Sequence, residues 1–261
     1  MDWLQPLQVH PITGEPILRL PHPHENIIIT PPRMSDGPAL VTTLNDLRVC
    51  QWLESPPYPY TDDDADYWLR MVKDGSDTVL QELKDAFDEE SGSQRSCLVG
   101  SCPVSFLREV QKDGTEIYLG SIGVERCHYP ELENGPEKAK LVKENADRDV
   151  GDPEIVWCIG GIVLFVIPGC LCIYSDADYL VASHHNRGIM SAAAGTIIRE
   201  WVIPKMAARK IRVETFVGNV GSRRVFEKNG FVLAETVTFS KERVTNSGTR
   251  QQGMDILWLR S

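Results

Sequence analysis

The residues with the clearest chemical potential form the segment HHNRGIMSAA, from His184 to Ala193. An extended apolar stretch precedes it and a long amphipathic pattern follows it. A glycine at the start of a helix leaves backbone N–H groups without intrahelical acceptors, and the helix dipole adds a partial positive charge there. Such an end binds anions, and Arg187 lies beside it. We therefore predict a site for a phosphorylated cofactor at Gly188.

The charge distribution fits this prediction. Residues 187–230 contain nine basic and three acidic residues, a net charge of +6, whereas the whole chain carries −10. A polyanionic cofactor needs such a positive zone, although solvated helix faces would give the same count. The acidic remainder, at −16, argues against a general nucleic-acid binder. This excess of negative charge would attract a cationic amine, or it would only keep the protein soluble.

Composition predicts a soluble globular protein, since 42% of the residues are hydrophobic and 25% are charged. Seven cysteines without framework spacing indicate reduced thiols, so we expect a cytoplasmic protein, with the nucleus left open. The apolar run 155–173 is broken by Pro168-Gly169 and is shorter than a membrane span of about 20 residues. No cysteine or histidine pair has a second half at zinc spacing. We expect no membrane segment and no metal.

The predicted elements of the first half begin with an irregular N-terminal arm, 1–26, rich in proline and histidine. The pattern then predicts a strand at 27–30, a helix from Ser35 to about Asn45, a helix capped by Thr61, a polar linker with helical character at 77–93, and hairpin strands at 104–110 and 117–126. A polar insertion, 131–152, with a short helix at 136–145, follows.

In the second half, an apolar stripe of 3.6-residue period predicts a helix from Gly188 to Met206 whose regular part ends at Pro204. Alternation predicts a strand at 210–217, and Asn219 and Gly230 bracket another helix. Final strands are expected at 231–239 and 255–260. Hairpins and crossovers both occur, so we predict an α+β fold in a single domain, 27–261, with a mixed central sheet flanked by helices.

Two C-terminal blocks, YLVASHHNRGIM and GNVGSRRVFEKNGFVL, are separated by a helix and a strand. Together they resemble the GCN5-related N-acetyltransferases (GNAT superfamily), most closely the branch of ribosomal-protein N-terminal acetyltransferases. The resemblance covers residues 27–239. It implies transfer of an acetyl group from acetyl-CoA to a primary amine of a small molecule or protein, by direct attack in a ternary complex. The alternative is a catalytically weak or inactive acyl-CoA-binding module of the same fold.

The resemblance also implies roles for individual residues. Gly188 matches the central glycine of the family's pyrophosphate loop, whose contacts are mostly main-chain amides. The expected cofactor-binding residues are Leu180, Val181 and Ala182 along the pantetheine arm, Arg187, Gly188, Ile189, Met190 and Ser191 at the pyrophosphate, Asn219 near the pantetheine or the product amide, and Arg224 at the 3′-phosphate. Acetyl-CoA and an amine acceptor are the expected partners, with a homodimer left open.

Acetyl transfer also needs a proton for the leaving thiolate. Many family members supply it from a tyrosine, but the matching position here is Phe226, which has no hydroxyl. Ser222, one helical turn earlier, is the candidate general acid by resemblance. The alternative is that Ser222 is a residue of the helix N-terminus that hydrogen-bonds to the backbone. Asn219 is also a plausible plain N-cap. Glu125 and Glu214 are candidates for the base. A water chain that takes the amine proton is the alternative, so no base is assigned.

The resemblance is interrupted by an apolar segment, 161–177, between the strand EIVWCIG and the block YLVASHH. In related acetyltransferases these two pieces are almost directly joined. Two interpretations follow: an extra buried hairpin, or an insertion foreign to the ancestral fold, even translated non-coding sequence. The second predicts an exposed apolar patch beside the cofactor strand, with a tendency to associate.

Overall fold

The computed structural model describes residues 2–54, 56–89, 97–160, 162–167, 170–175 and 178–260. The strands are β1 (Gln8–Val9), β2 (Pro16–Arg19), β3 (Ile27–Thr30), β4 (Phe106–Val110), β5 (Glu116–Ser121), β6 (Val124–Arg126), β7 (Val156–Ile159), β8 (Ile162–Ile167), β9 (Cys170–Ser175), β10 (Tyr179–Leu180), β11 (Lys210–Phe216), β12 (Phe231–Val244) and β13 (Arg250–Leu259). The helices are α1 (Gly37–Leu44), α2 (Leu47–Cys50), α3 (Asp62–Glu89), α4 (Pro136–Ala146), α5 (Ile189–Ile197), α6 (Ile203–Met206) and α7 (Val220–Glu227).

Two sheets carry the site. The first has the strand order β1-β2-β3-β4-β5-β10, and the second has the order β12-β13-β11-β7-β6. Strand β11 pairs in parallel with β7 and antiparallel with β13, so the pairing is mixed. Because β6 follows β5 after only two residues, the first sheet leads directly into the second. The predicted α+β fold with a mixed sheet is confirmed.

The chain passes from one sheet to the other between β7 and β10. Strand β7 pairs with β6 and β11, whereas β10 pairs with β5. Glycine is required where β5 meets β10, because Gly120 has a φ of +151° and a Cβ there would lie 2.0 Å from the carbonyl oxygen of Tyr179. Between β7 and β10, strands β8 and β9 form a hairpin that pairs with itself.

Helices cover both faces of the sheet. On one face, α5 presents Ile189, Ala193 and Ile197 to the main core, as the apolar stripe predicts. On the other face, helices α1 and α3 pack through a second cluster that includes Leu40 and Leu69. Helices therefore cover both faces of the sheets.

The N-terminal arm is more regular than the sequence predicts. Strands β1 and β2 add to the edge of the first sheet beside β3. His10 is buried, and its Nε2 lies 3.4 Å from Glu116 Oε1 on β5. This contact joins residues far apart in the sequence, and it explains why composition alone predicts an irregular arm.

Three boundaries also differ from the sequence prediction. The polar stretch from residue 77 is part of α3 as far as Glu89, because Val79 and Leu83 are buried against the main core; residues 90–93 lie outside the described part. The first helix begins at Gly37 instead of Ser35. The helix predicted from Gly188 does reach Met206, but its regular part ends at Ile197 instead of Pro204, because a π-helical turn, Ile198–Val202, separates α5 from α6.

The strand predicted at 117–126 is divided into β5 and β6, which belong to different sheets, and the remaining predictions agree with the structure. Thr61 caps α3, since its Oγ1 accepts from the Asp64 amide. Strands β12 and β13 form the final pair and are longer than predicted. Within the described residues no helix is long and apolar enough to cross a membrane. The burial of the apolar segment 161–177 lies outside the described residues.

Candidate active site

A cleft of about 580 Å³ opens where the two sheets diverge. Its walls come from α2 and the following loop, from β10, and from the N-terminal ends of α5 and α7. The residues that line it are Arg48, Val49, Trp52, Leu53, Asp178, Tyr179, Leu180, His184, His185, Asn186, Gly188, Ile189, Met190, Ser191, Gly218, Asn219, Val220, Gly221, Ser222, Arg224, Val225, Phe226 and Lys228. Because the sequence predicts a cofactor site at this position, we call this space the cofactor cleft.

The N-terminal end of α5 has the geometry of an anion site. Gly188 is the N-cap and adopts a left-handed conformation, with φ +80° and ψ 0°. The first backbone hydrogen bond of this helix runs from the Ala192 amide to the Gly188 carbonyl. The amides of Ile189, Met190 and Ser191 therefore precede the helical ladder and face out of the helix end. This is the arrangement that the sequence predicts at Gly188.

Strand β10 forms the wall beside this helix end. It is the last strand of the first sheet, so its outer edge faces the cleft instead of another strand of that sheet. Leu180 lines the cleft, and its carbonyl oxygen lies 2.9 Å from His185 Nε2. The Val181 amide donates to Leu119 O at 2.7 Å, which fixes the strand against β5. An extended ligand could pair with such an edge.

Three of the predicted cofactor residues do not line the cleft: Val181, Ala182 and Arg187. Val181 and Ala182 belong to the turn between β10 and α5. The Arg187 side chain is about half exposed, and its Nη2 lies 3.8 Å from Glu109 Oε1. Its guanidinium is directed to β4, so Arg224 and Lys228, which do line the cleft, are nearer sources of positive charge.

At the start of α7, Asn219 acts as the N-cap, because its Oδ1 accepts a hydrogen bond of 3.2 Å from the Ser222 amide. Ser222 follows in the first turn and lines the cleft. Phe226, one turn later, is buried and packs edge-on against Phe231 with ring centroids 5.4 Å apart. The structure thus brings Asn219, Ser222 and Phe226 together at one end of the cleft.

Sequence reasoning missed the wall formed by Arg48, Trp52 and Leu53. Its local signal is weak but present. Asp46 caps α2 by accepting from the Arg48 amide at 2.9 Å, an arrangement typical of a helix start. The four-residue helix is too short to show a hydrophobic period, so the sequence does not indicate which of its side chains face the cleft.

A second, smaller cavity of about 90 Å³ adjoins the cofactor cleft. The two spaces share the residues Trp52, Leu53, Asp178, Asn219, Ser222 and Phe226. Beyond the shared residues, the small cavity is lined by Glu54, Pro130, Ile159, Gly160, Glu214, Thr215, Phe216 and Met254. We call it the inner cavity. The shared residues mark the place where molecules bound in the two spaces would meet.

Glu214 of β11 lines the inner cavity and is held by three neighbours. Arg212 Nε lies 2.6 Å from Glu214 Oε1, Cys158 Sγ lies 2.6 Å from Oε2, and Cys127 Sγ lies 3.5 Å from Oε1. Burial, followed by the Glu214 carboxylate, raises the pKa of the Cys158 and Cys127 thiols. Both thiols therefore remain protonated and donate to Glu214 at neutral pH.

Glu125 of β6 lies opposite Cys158 in the pairing of β6 with β7. Its Oε2 is 4.0 Å from His128 Nε2. Burial and the nearby Lys138 lower the pKa of His128 despite this carboxylate. Glu125 is not among the residues that line either cavity. Within the described part of the chain, no group of three or more His, Cys, Asp or Glu is arranged to hold a metal ion.

Comparison with known proteins places this geometry in a family. The family model of the acetyltransferase (GNAT) domain matches residues 26–232. A GNAT-family acetyltransferase from Bacillus anthracis is 14% identical, covers 93% of this chain and 97% of its own, and superposes with a TM-score of 0.51. That likeness is one of fold.

Two further structures belong to the same set of neighbours. The Microcin C7 self-immunity acetyltransferase, solved with acetyl-CoA and AMP, is 13% identical over 89% of this chain and 92% of its own, with a TM-score of 0.49. The ribosomal-protein-S5-alanine acetyltransferase from Vibrio fischeri is 11% identical over the same shares, also with a TM-score of 0.49. No curated protein matches the chain. Because the family model spans well over half of its length, the chain belongs to the GNAT acetyltransferase family.

Proposed function

We propose that this protein transfers an acetyl group from acetyl-CoA directly to a primary amine of a small molecule or protein. The observation that carries the proposal is the junction of the two cavities at Asn219, Ser222 and Phe226. A cofactor that enters along α5 and an amine that enters through the inner cavity would meet there. Direct transfer needs this meeting point, since both reactants must be bound together.

The cofactor cleft supplies groups suited to acetyl-CoA. The amides of Ile189, Met190 and Ser191 would bind the pyrophosphate, because they face out of a helix end with partial positive charge. The edge of β10 would bind the extended pantetheine arm. Arg224 lines the cleft and would pair with the 3′-phosphate. Arg187 would contribute its amide only, since its side chain is directed to Glu109.

Ser222 is the proposed general acid. As the amine nitrogen bonds to the thioester carbon, the carbon–sulfur bond breaks and the departing thiolate takes a proton. Ser222 lines both cavities at their shared end, where that sulfur would be. Phe226 provides a ring without a hydroxyl at the neighbouring position, so it shapes the site but cannot donate.

Glu214 is a poor candidate for the base. Both of its carboxylate oxygens already have partners, because Oε1 forms an ion pair with Arg212 and accepts from Cys127, and Oε2 accepts from Cys158. A carboxylate engaged in this way fixes the electrostatics of the inner cavity, and neither of its oxygens is left free to bond the amine. We therefore assign loss of the amine proton to solvent and assign no side chain as base.

A second candidate function, an acyl-CoA-binding module without turnover, is favoured by one observation. The site combines Phe226 with a carboxylate that is neutralised by Arg212, so both usual sources of proton transfer are weakened. Binding of acetyl-CoA is common to both functions. Release of thiol in the presence of an amine distinguishes them.

Calorimetric titration with acetyl-CoA tests the cofactor site. In Gly188→Glu, a carboxylate would occupy the anion site, and we expect affinity to fall at least about 100-fold, since two lost charge-assisted contacts of about 1.5 kcal/mol each give that factor. Gly114→Glu is the matched control. Gly114 also has a positive φ, of +85°, but lies in the turn between β4 and β5. Equal loss in both variants would refute the assignment.

Turnover tests Ser222. We expect Ser222→Ala to lower kcat by about 10²-fold or more, the usual contribution of a positioned acid, with unchanged affinity for acetyl-CoA. Adding Phe226→Tyr to this variant would return a hydroxyl to the same junction and restore part of the rate. Full activity of Ser222→Ala would remove the serine from the mechanism. Absence of thiol release with every amine tested would favour the binding module.

A further inference from the structure

A large bulge in β12 lies beside the inner cavity. Thr238 pairs with Gly253 and Arg243 pairs with Gln251, so β12 advances five residues while β13 advances two. Three extra residues are therefore accommodated in β12 between these pairs. Bulges of this kind redirect side chains and are common near active sites.

The bulge directs Phe239 and Arg243 toward the cavity wall. Phe239 packs edge-on against Phe216, with ring centroids 6.4 Å apart, and Phe216 lines the inner cavity. The Arg243 guanidinium lies 4.0 Å above the Phe239 ring, and its Nη1 is 3.6 Å from Glu54 Oε2. Glu54 also lines the inner cavity. The hairpin thus orients a carboxylate that belongs to the opposite wall.

The end of the same hairpin fixes the loop that carries Glu54. Asn246 Nδ2 donates to Pro56 O at 2.9 Å, Ser247 Oγ donates to Cys50 O at 3.3 Å, and Gln251 Nε2 donates to Gln51 O at 3.0 Å. These bonds lie on both sides of Glu54 in the sequence. They hold its backbone in place, so the carboxylate has a defined position at the cavity.

Glu54 retains capacity for another partner. Its ion pair with Arg243 is longer than a hydrogen bond, and its Oε2 is buried without a hydrogen-bond partner. Only Trp52, Leu53, Asp178, Asn219, Ser222 and Phe226 belong to both cavities, and Glu54 is outside that set. Glu54 therefore lines only the inner cavity and is placed to contact a part of the acceptor that does not react.

We propose that Glu54 selects acceptors that carry a second positive charge, namely short unbranched diamines. This inference rests on the proposed acetyl transfer. The reacting nitrogen must be neutral at the thioester, whereas the other end of a diamine stays charged and would pair with Glu54. A cavity of about 90 Å³ admits a slender chain and excludes broad, rigid molecules.

The test compares 1,4-diaminobutane with 1-aminobutane, which has the same carbon chain and only one nitrogen. Binding of each amine to the protein saturated with CoA is measured by calorimetry, and thiol release from acetyl-CoA gives kcat and KM. We expect the diamine to be preferred by about tenfold or more in both Kd and KM, equivalent to about 1.4 kcal/mol for one charge-assisted contact. Glu54→Gln should abolish the preference in both Kd and KM.

Glu242→Gln is the matched control. Glu242 lies in the same bulge, but its carboxylate pairs with Arg250 and it does not line either cavity. It should keep the preference for the diamine. Equal affinity for the two amines, binding of neither, or a preference unchanged in Glu54→Gln would overturn the inference. Diamine binding that depends on Glu54 without thiol release would support it while refuting acetyl transfer.

Discussion

The most informative stability experiment concerns the buried ion pair between Asp36 and Arg108. Asp36 precedes α1, and Arg108 lies in the middle of β4. Arg108 Nη1 and Nη2 donate to the two oxygens of Asp36 at 2.8 and 2.7 Å. Their side chains are only 3% and 4% exposed. This pair anchors the helical segment that leads to the site wall at Trp52 and Leu53.

Asp36→Asn preserves the shape of the side chain and removes its charge. The guanidinium of Arg108 then remains buried, with Thr30 Oγ1 at 2.9 Å as a neutral partner and Glu116 Oε2 at 3.9 Å as the nearest other carboxylate. Removing one partner of a buried ion pair costs about 3–5 kcal/mol. Because Glu116 offsets part of the isolated charge, we expect a loss near the lower end, about 3 kcal/mol.

Urea unfolding followed by tryptophan fluorescence measures this loss. The double variant Asp36→Leu with Arg108→Met should recover most of the stability, since replacing both charges with apolar groups is often neutral. Asp66→Asn is the control, because Asp66 pairs with Arg70 on the exposed face of α3 and should contribute less than about 1 kcal/mol. A loss below about 1 kcal/mol in Asp36→Asn would refute the reasoning.

Three further predictions concern other contacts described above. Burial and Lys138 lower the pKa of His128, so the unfolded chain binds this proton before the folded chain does as the pH falls. Urea unfolding should therefore show the free energy of unfolding decreasing from about pH 7 to about pH 5. The decrease should be less steep in His128→Gln. Gly120→Ala should lower the melting temperature in calorimetry by displacing β10, since its Cβ would overlap Tyr179 O; an unchanged value would contradict the close approach. Deletion of residues 161–177 should change the affinity for acetyl-CoA, measured by titration, by no more than about threefold, which is under about 1 kcal/mol. The reason is that Gly123 bonds to both Gly160 and Asp178, which flank the segment. Loss of binding in a folded variant would give the segment a role in the cleft.

The parts of the site that the sequence predicts depend on local rules. Gly188 before an amphipathic helix and Asn219 before Ser222 follow from helix capping, and both lie in the cofactor cleft. The predictions for side chains are weaker, because Arg187 has a choice of partners and the structure directs it to Glu109. Rotamer choice depends on neighbours that are distant in sequence.

The features that the sequence does not predict depend on long-range contacts. The N-terminal arm becomes part of the sheet through its pairing with β3 and the contact of His10 with Glu116. The wall at Glu54 is held by Arg243, almost two hundred residues later. Neither element has enough local periodicity to reveal its partner, so single-sequence patterns describe them as arm and loop.

The hairpin of β8 and β9 alters the folding of the sheet. Strands β7 and β10 lie in different sheets and are separated by the 19 residues 160–178, so both are positioned when a loop of that length closes. Closing a flexible loop of that length costs about 2.5 kcal/mol of chain entropy. The self-pairing of β8 with β9 shortens the effective loop before the ends meet. A connection between strands of two sheets can therefore tolerate an excursion that supplies its own closure, which makes this position a tolerant site for inserted sequence.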